Sequence, residues 1–199
     1  MRPLVVAVLL VLLAGCAPST VDTTGSAGGS CLPPAPSAPA ARIADGHLGP
    51  TGQPALGGAA ASRIPDLTLE CFQGGGRVEL TALHRPAILN LWASWCGPCR
   101  TELPAFQSYA DRVGDRVLVL GVDTGDTRDT GAGLLQDVKV AFPNLFDAKS
   151  QLLSGVGRTA LPVTLFVDAD GGIRYLYNDK ALDEAAIARL AGTYLGITA

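Results

Sequence analysis

Cys96 and Cys99 enclose Gly97 and Pro98, immediately after the apolar run Ala87-Ile-Leu-Asn-Leu-Trp92 and at the head of a stretch with helical character. Two cysteines three residues apart at a helix start share one end of the helix, within disulfide reach. The exposed backbone N–H groups and the positive end of the helix dipole favour a thiolate on Cys96 over one on Cys99, whose sulfur lies farther inside the turn. Cys96 is therefore expected to attack a substrate disulfide, giving a mixed disulfide that Cys99 resolves. Pro98 suits the first turn, where its missing N–H costs nothing. A zinc site would need four nitrogen or sulfur ligands. Cys31 and Cys71 do not form a second such pair, and His47 and His84 lack ligand spacing, so no metal and no cofactor are expected. A purely structural bridge between residues three apart would constrain little chain and suits exchange better.

The elements that must position this pair can be read around it. Ala87 to Trp92 has strand length and is apolar apart from Asn90, as a central buried strand should be. Pro98 to about Val113 fits a helix, and Val117 to Val122 reads as a second buried strand closed by Asp123 and Gly125. Strand, helix, strand implies a parallel crossover. Upstream, Leu67 to Cys71 and Arg77 to Leu80 flank Gly74-Gly-Gly76 and suggest a hairpin. Downstream, helices are expected from about Gly131 to Val140, near Gln151 to Val156, and from Asp183 to about Tyr194. Val163 to Val167 and Ile173 to Tyr177 flank Asp168-Ala-Asp-Gly-Gly172, the signature of an antiparallel hairpin. The expected order is β-β-β-α-β-α-α-β-β-α.

Leu89-Asn-Leu-Trp-Ala-Ser-Trp-Cys-Gly-Pro-Cys-Arg-Thr-Glu-Leu-Pro104 resembles the thioredoxin superfamily, in particular its TlpA/ResA-type extracytoplasmic branch. Thr159-Ala-Leu-Pro-Val-Thr-Leu-Phe-Val-Asp168 resembles the cis-proline segment of the same family. The resemblance runs from about Ile64 to the C-terminus. It implies an α/β thioredoxin-like fold: a central mixed sheet flanked by helices, here with an N-terminal β-hairpin extension. It also implies a cis bond before Pro162, with the Leu161 backbone and Trp95 meeting an extended substrate. Asn90 stands where cytoplasmic thioredoxins carry a buried aspartate. The resemblance implies that Glu102, six residues after Cys96, accepts the Cys99 proton in its stead, provided partial burial raises its pKa. A solvated surface glutamate is the alternative. Pro104 resembles the helix-kinking proline of the fold, Trp92 is expected to pack, and Arg100 to lie at the surface.

The rest of the chain bounds the setting. With 199 residues, 48% apolar, one ordinary domain plus extras is expected. A net charge of -3 with only 15 Lys and Arg argues against nucleic acid. Residues 1–15 read as a signal peptide, with Arg2 ahead of an apolar run from Leu4 to Ala14, too short for a membrane span. Leu13-Ala-Gly-Cys16 resembles a lipobox, so a lipid on Cys16 would hold the protein at the bacterial cell membrane. Residues 16–62, rich in Ala, Gly, Pro and Ser, read as a tether, leaving 63–199 as the thioredoxin-like domain. Cys31 and Cys71 are expected to bridge tether and domain, which a disulfide-permissive compartment allows; a second redox pair or two free thiols are the alternatives.

The expected function is reduction of extracytoplasmic protein disulfides, with apocytochrome c among the substrates the resemblance implies and a membrane thiol carrier as electron donor. Two other functions compete. One is an oxidase that makes disulfides in exported proteins; the other is a binding module that merely uses the scaffold.

Overall fold

Six consecutive buried residues make Ala87–Trp92, labelled β3, the centre of the molecule. In the computed structural model, which describes residues 30–35 and 63–198, β3 pairs in parallel with β4, Leu118–Thr124, and antiparallel with β6, Val163–Val167. Both neighbours are also buried along their whole length. Strands covered on both faces lose the polar alternation of half-exposed ones, which is why these runs are mostly apolar, with Asn90, Asp123, Thr124 and Thr164 as buried polar exceptions. The expected signal peptide, Cys16, His47 and the expected tether apart from residues 30–35 lie outside the described residues.

The sheet has seven strands in the order β2-β1-β5-β4-β3-β6-β7. At one edge is the hairpin of β1, Thr68–Cys71, and β2, Arg77–Glu79. At the other edge β7, Ile173–Tyr177, returns antiparallel to β6. The helices are α1, Gly97–Val113; α2, Arg128–Asp137; α3, Gln151–Gly155; and α4, Glu184–Leu195. Among the described residues no helix is long and apolar enough to cross a membrane.

One strand escapes the sequence reading. β5, Asn144–Asp147, lies between α2 and α3, so the order is β-β-β-α-β-α-β-α-β-β-α. Four residues with a polar one at each end show neither alternation nor an apolar run. Its pairing is nevertheless decisive, since β5 runs parallel to β4 and antiparallel to β1 and so sutures the hairpin to the sheet. Two boundaries also move. β4 continues through Asp123 and Thr124, which pair with Phe146 and Asp147 of β5. α2 starts at Arg128 and ends at Asp137, each three residues earlier than expected. Gly131 and Gly133 weaken its propensity, but the Thr127 hydroxyl caps it by accepting from the Thr130 N–H at 3.3 Å.

The sheet separates two cores. On one face α1, α2 and α4 pack Leu103, Phe106, Tyr109, Leu134 and Ile187 against Ile88, Trp92 and Phe166. On the other, Leu152, Leu153 and Val156 of the α3 region meet Leu69, Leu89, Leu120 and Leu145. In α1 the buried positions Cys99, Glu102, Leu103, Phe106, Tyr109 and Val113 recur every three or four residues, one stripe of a 3.6-residue helix. Each large apolar side chain in that stripe contributes about 1.5–3 kcal/mol by burial. The stripe thus fixes α1, and with it the cysteines at its head, against β3.

Candidate active site

β3 ends at Trp92, and Ala93-Ser-Trp95 turns the chain into α1, with the Cys96 N–H donating to the Ala93 carbonyl at 3.1 Å. Cys96 is the extended N-cap of α1, and its Sγ accepts the Cys99 N–H at 3.2 Å. A sulfur in the capping position receives the partial positive charge of an otherwise unpaired helix amide. Cys96 and Cys99 are joined in a disulfide with Cα atoms 5.3 Å apart. Cys99 is completely buried, whereas Cys96 keeps 5% of its surface. Beside it Trp95 stands out as the exposed large apolar side chain, 65% accessible, its indole N–H held by the Gly125 carbonyl at 3.1 Å.

Pro162 follows a cis peptide bond from Leu161. The register pairs Leu91 with Val163, so the segment enters β6 at the end of the sheet where β3 leads into the cysteine turn. Leu161 is partly buried against both cores. The Asn178 amide donates to the carbonyls of Ala160, at 3.1 Å, and Pro162, at 2.7 Å, clamping this segment from beyond β7.

Glu102 is not a solvated surface residue; it is 1% exposed. It lies one helical turn beyond Cys99, on the same face of α1. Asn90 of β3 donates to its Oε1 at 2.7 Å, and the Leu182 N–H donates to its Oε2 at 3.1 Å. Burial pushes its carboxyl up to about 7, against the opposing effect of those two hydrogen bonds. A carboxyl poised near neutrality beside a resolving thiol can take up and return its proton. Asn90 therefore carries no acid of its own at this position but holds the Glu102 carboxyl in place.

The remaining candidates separate cleanly. Trp92 is buried and its indole donates to Asn144 Oδ1 at 2.9 Å. Arg100 is exposed and donates to the Ser94 carbonyl at 3.4 Å. His84 lies in an exposed turn with φ 44°. Pro104 sits inside α1, where it supplies no N–H. Cys31 and Cys71 form a second disulfide, with Cα atoms 5.8 Å apart. Cys71 belongs to the α3-side core, and β5 and β4 stand between its strand and β3. The two cysteine pairs are thus not brought together.

Sequence reasoning missed Asn178, Asp123 and Asp126. Asp126 Oδ2 accepts the Ser94 N–H at 2.6 Å, two residues before Cys96. No local motif marks these residues, because each acts on a partner at least 16 positions away or from within a strand that looked merely terminated.

The AhpC/TSA family model matches residues 60–176. The thiol-disulfide oxidoreductase ResA of Bacillus subtilis is 28% identical over 114 residues, covering 56% of this chain and 63% of the relative. The thiol:disulfide interchange protein DsbE of Vibrio cholerae is 30% identical over 115 residues, covering 56% and 61% respectively. These matches span less than two thirds of either relative. A secreted Mycobacterium tuberculosis disulfide oxidoreductase homologous to Escherichia coli DsbE superposes with a TM-score of 0.56. At 22% identity it covers 66% of this chain and 96% of its own, and shows the shared fold.

Proposed function

The chain belongs to the AhpC/TSA family, and from that premise we propose that it is an extracytoplasmic thiol-disulfide oxidoreductase that reduces protein disulfides through Cys96 and Cys99. The observation that carries this reading is the Cys96 sulfur at the N-cap of α1, with Cys99 buried behind it and the near-neutral acid Glu102 one turn further on. Family membership alone would not select the chemistry, because one fold hosts many activities.

In the reduced protein the Cys96 thiolate attacks one sulfur of a substrate disulfide and expels the other as a thiolate. Cys99 then passes its proton to Glu102, attacks the Cys96 sulfur and releases the second substrate thiolate. The substrate gains two electrons, and Cys96–Cys99 becomes the disulfide. Leu161, Pro162 and Trp95 are the surface on which an extended substrate segment would lie. Two features support the reducing direction. Gly97-Pro98 resembles the dipeptide of reducing thioredoxins. Among the described residues only one backbone amide and no cationic side chain bonds to the Cys96 sulfur, a modest stabilisation of the thiolate.

The Cys31–Cys71 disulfide fits an oxidising compartment. A lipid on Cys16, a tether to about residue 62 and a domain from there on would place the site near a membrane thiol donor and near substrates such as apocytochrome c. Substitution of the resolving cysteine tests the roles directly. Cys99→Ser in the full chain is expected to accumulate mixed disulfides with exported proteins through Cys96, and Cys96→Ser to accumulate none. Trapping through Cys99 instead would reverse the assignment.

A further inference from the structure

Asp123 is a fully buried acid that the exchange chemistry described above does not use. It is the last residue but one of β4, beside Trp92 of β3, its register partner, on the face of the sheet that carries Cys96, Cys99 and Glu102. Neither of its carboxyl oxygens receives a hydrogen bond from any protein donor. Buried carboxyl oxygens left this way are costly when charged and much less so when the group keeps its proton and donates it. Space for the carboxyl comes from α2, where a Cβ at Gly131 would overlap Asp123 Oδ2.

Asp126, three residues on, is the opposite kind of acid. Its Oδ1 accepts from the Thr127 N–H at 2.7 Å and the Thr130 hydroxyl at 2.6 Å, and its Oδ2 accepts from the Ser94 N–H. Burial works against its charge, but the bonds from Thr130, Ser94 and Thr127 outweigh that and hold its carboxyl below the ordinary aspartate range. Between the two acids, Gly125 takes φ 64° and offers its carbonyl to the Trp95 indole. One short loop therefore grips both residues that precede Cys96.

We infer that Asp123 and Asp126 act as one proton-sharing carboxyl pair, in which protonated Asp123 donates to ionised Asp126 and so positions the Ser94-Trp95 approach to Cys96. Asp123 is a positioning residue in this arrangement, acting through Asp126. Burial first, then the charge of Asp126 and the hydrogen bond to it, push the Asp123 carboxyl up to about 8, against the attraction of Arg128. The charged groups around it are few. α2 presents Arg128, itself paired with Glu70 of β1 at 2.7 Å, while the register partners from β3 and β5 are the uncharged Trp92 and Phe146. Asp147 of β5 turns to the other face, where it accepts from the first amides of α3. When Asp123 loses its proton to solvent, two adjacent carboxylates repel, and the grip of the loop on Ser94 and Trp95 loosens.

The bearing on catalysis rests on the exchange function proposed for Cys96, but the test does not. The oxidised full chain, isotopically labelled, is titrated between about pH 6 and about pH 10 while the Ser94 amide and the Trp95 indole N–H are followed by NMR. Both signals are expected to move together with a midpoint near 8. In Asp123→Asn, whose amide donates a hydrogen bond without titrating, that step should vanish while Ser94 keeps its hydrogen-bonded position. A Ser94 amide that passes through this range without a step in the wild-type chain would overturn the inference, whether or not the variant folds. A step that survives in a folded Asp123→Asn would do the same. Absence of disulfide exchange would leave the titration untouched, so the two ideas fail separately.

Discussion

Glu102 shows how one side chain can change meaning between sequence and fold. Its helical position makes a solvated carboxylate the ordinary expectation, yet α1 turns it inward on the stripe that also buries Cys99 and Leu103. The consequence is a pH dependence whose sign follows from the raised pKa. Folded Glu102 binds its proton more tightly than an unfolded glutamate, so its contribution to stability is fully present below about 4.5 and is lost as pH rises through about 7. Asp123 acts in the same direction up to about 8. Thermal unfolding of the oxidised chain is therefore expected at higher temperature near pH 5 than near pH 8. Glu102→Gln should flatten part of that slope, by on the order of 3 kcal/mol for the full shift. The same variant should slow resolution of the mixed disulfide about 10-fold or more, as loss of a general base does, with the initial attack by Cys96 nearly unaffected. Stopped-flow rates for the two steps check this; equal slowing of both would mean that Glu102 only supports packing.

Among the elements, those with strong local signals were legible. β3, β6 and β7 have the expected limits, and α1 starts within one residue of Pro98. α4 is capped by Asp183, whose carboxylate accepts the Ala186 N–H at 2.8 Å, and it ends at Gly196 with φ 67°. β5 was not legible, because it is defined by its partners on either side rather than by its own pattern. The hidden dependence runs through Asn144, which accepts from the Trp92 indole and donates to the Phe142 carbonyl at 2.8 Å. Gly121 makes room for it: a Cβ there would overlap Asn144 Oδ1 and come within 2.9 Å of the Trp92 indole nitrogen. Gly121→Ala is thus expected to destabilise the fold by about 1–3 kcal/mol through overpacking. Urea denaturation measures this directly, and an unchanged midpoint would show that Asn144 can move aside freely.

Taken whole, the molecule keeps the two disulfides of the described residues on different elements, different faces and with different surroundings. Cys96–Cys99 caps a helix beside a titrating acid. Cys31–Cys71 ties residues 30–35 to the hairpin edge, where Arg128 also binds the carbonyls of Cys71, at 3.0 Å, and Phe72, at 2.7 Å. Two remaining cysteines in an oxidising compartment suggest that second bridge, but their sequence separation cannot place it, since pairing depends on a sheet edge that only β5 reveals. Closing 40 residues of chain, it should contribute about 2–4 kcal/mol. Cys31→Ser together with Cys71→Ser is expected to lower the unfolding free energy by that amount and to leave exchange at Cys96 intact. Loss of exchange in the folded double variant would assign the second pair a redox role.

The central claim is that Cys96 and Cys99 pass electrons to protein disulfides, and their reduction potential tests it most directly. The full chain is equilibrated against defined thiol buffers, and the oxidation state of the Cys96–Cys99 peptide is read by alkylation and mass spectrometry, which keeps the second disulfide out of the signal. A value near or below about -250 mV, close to that of thioredoxin, is predicted. A value nearer to about -120 mV would contradict the reducing direction and make disulfide formation in exported proteins the function of this site.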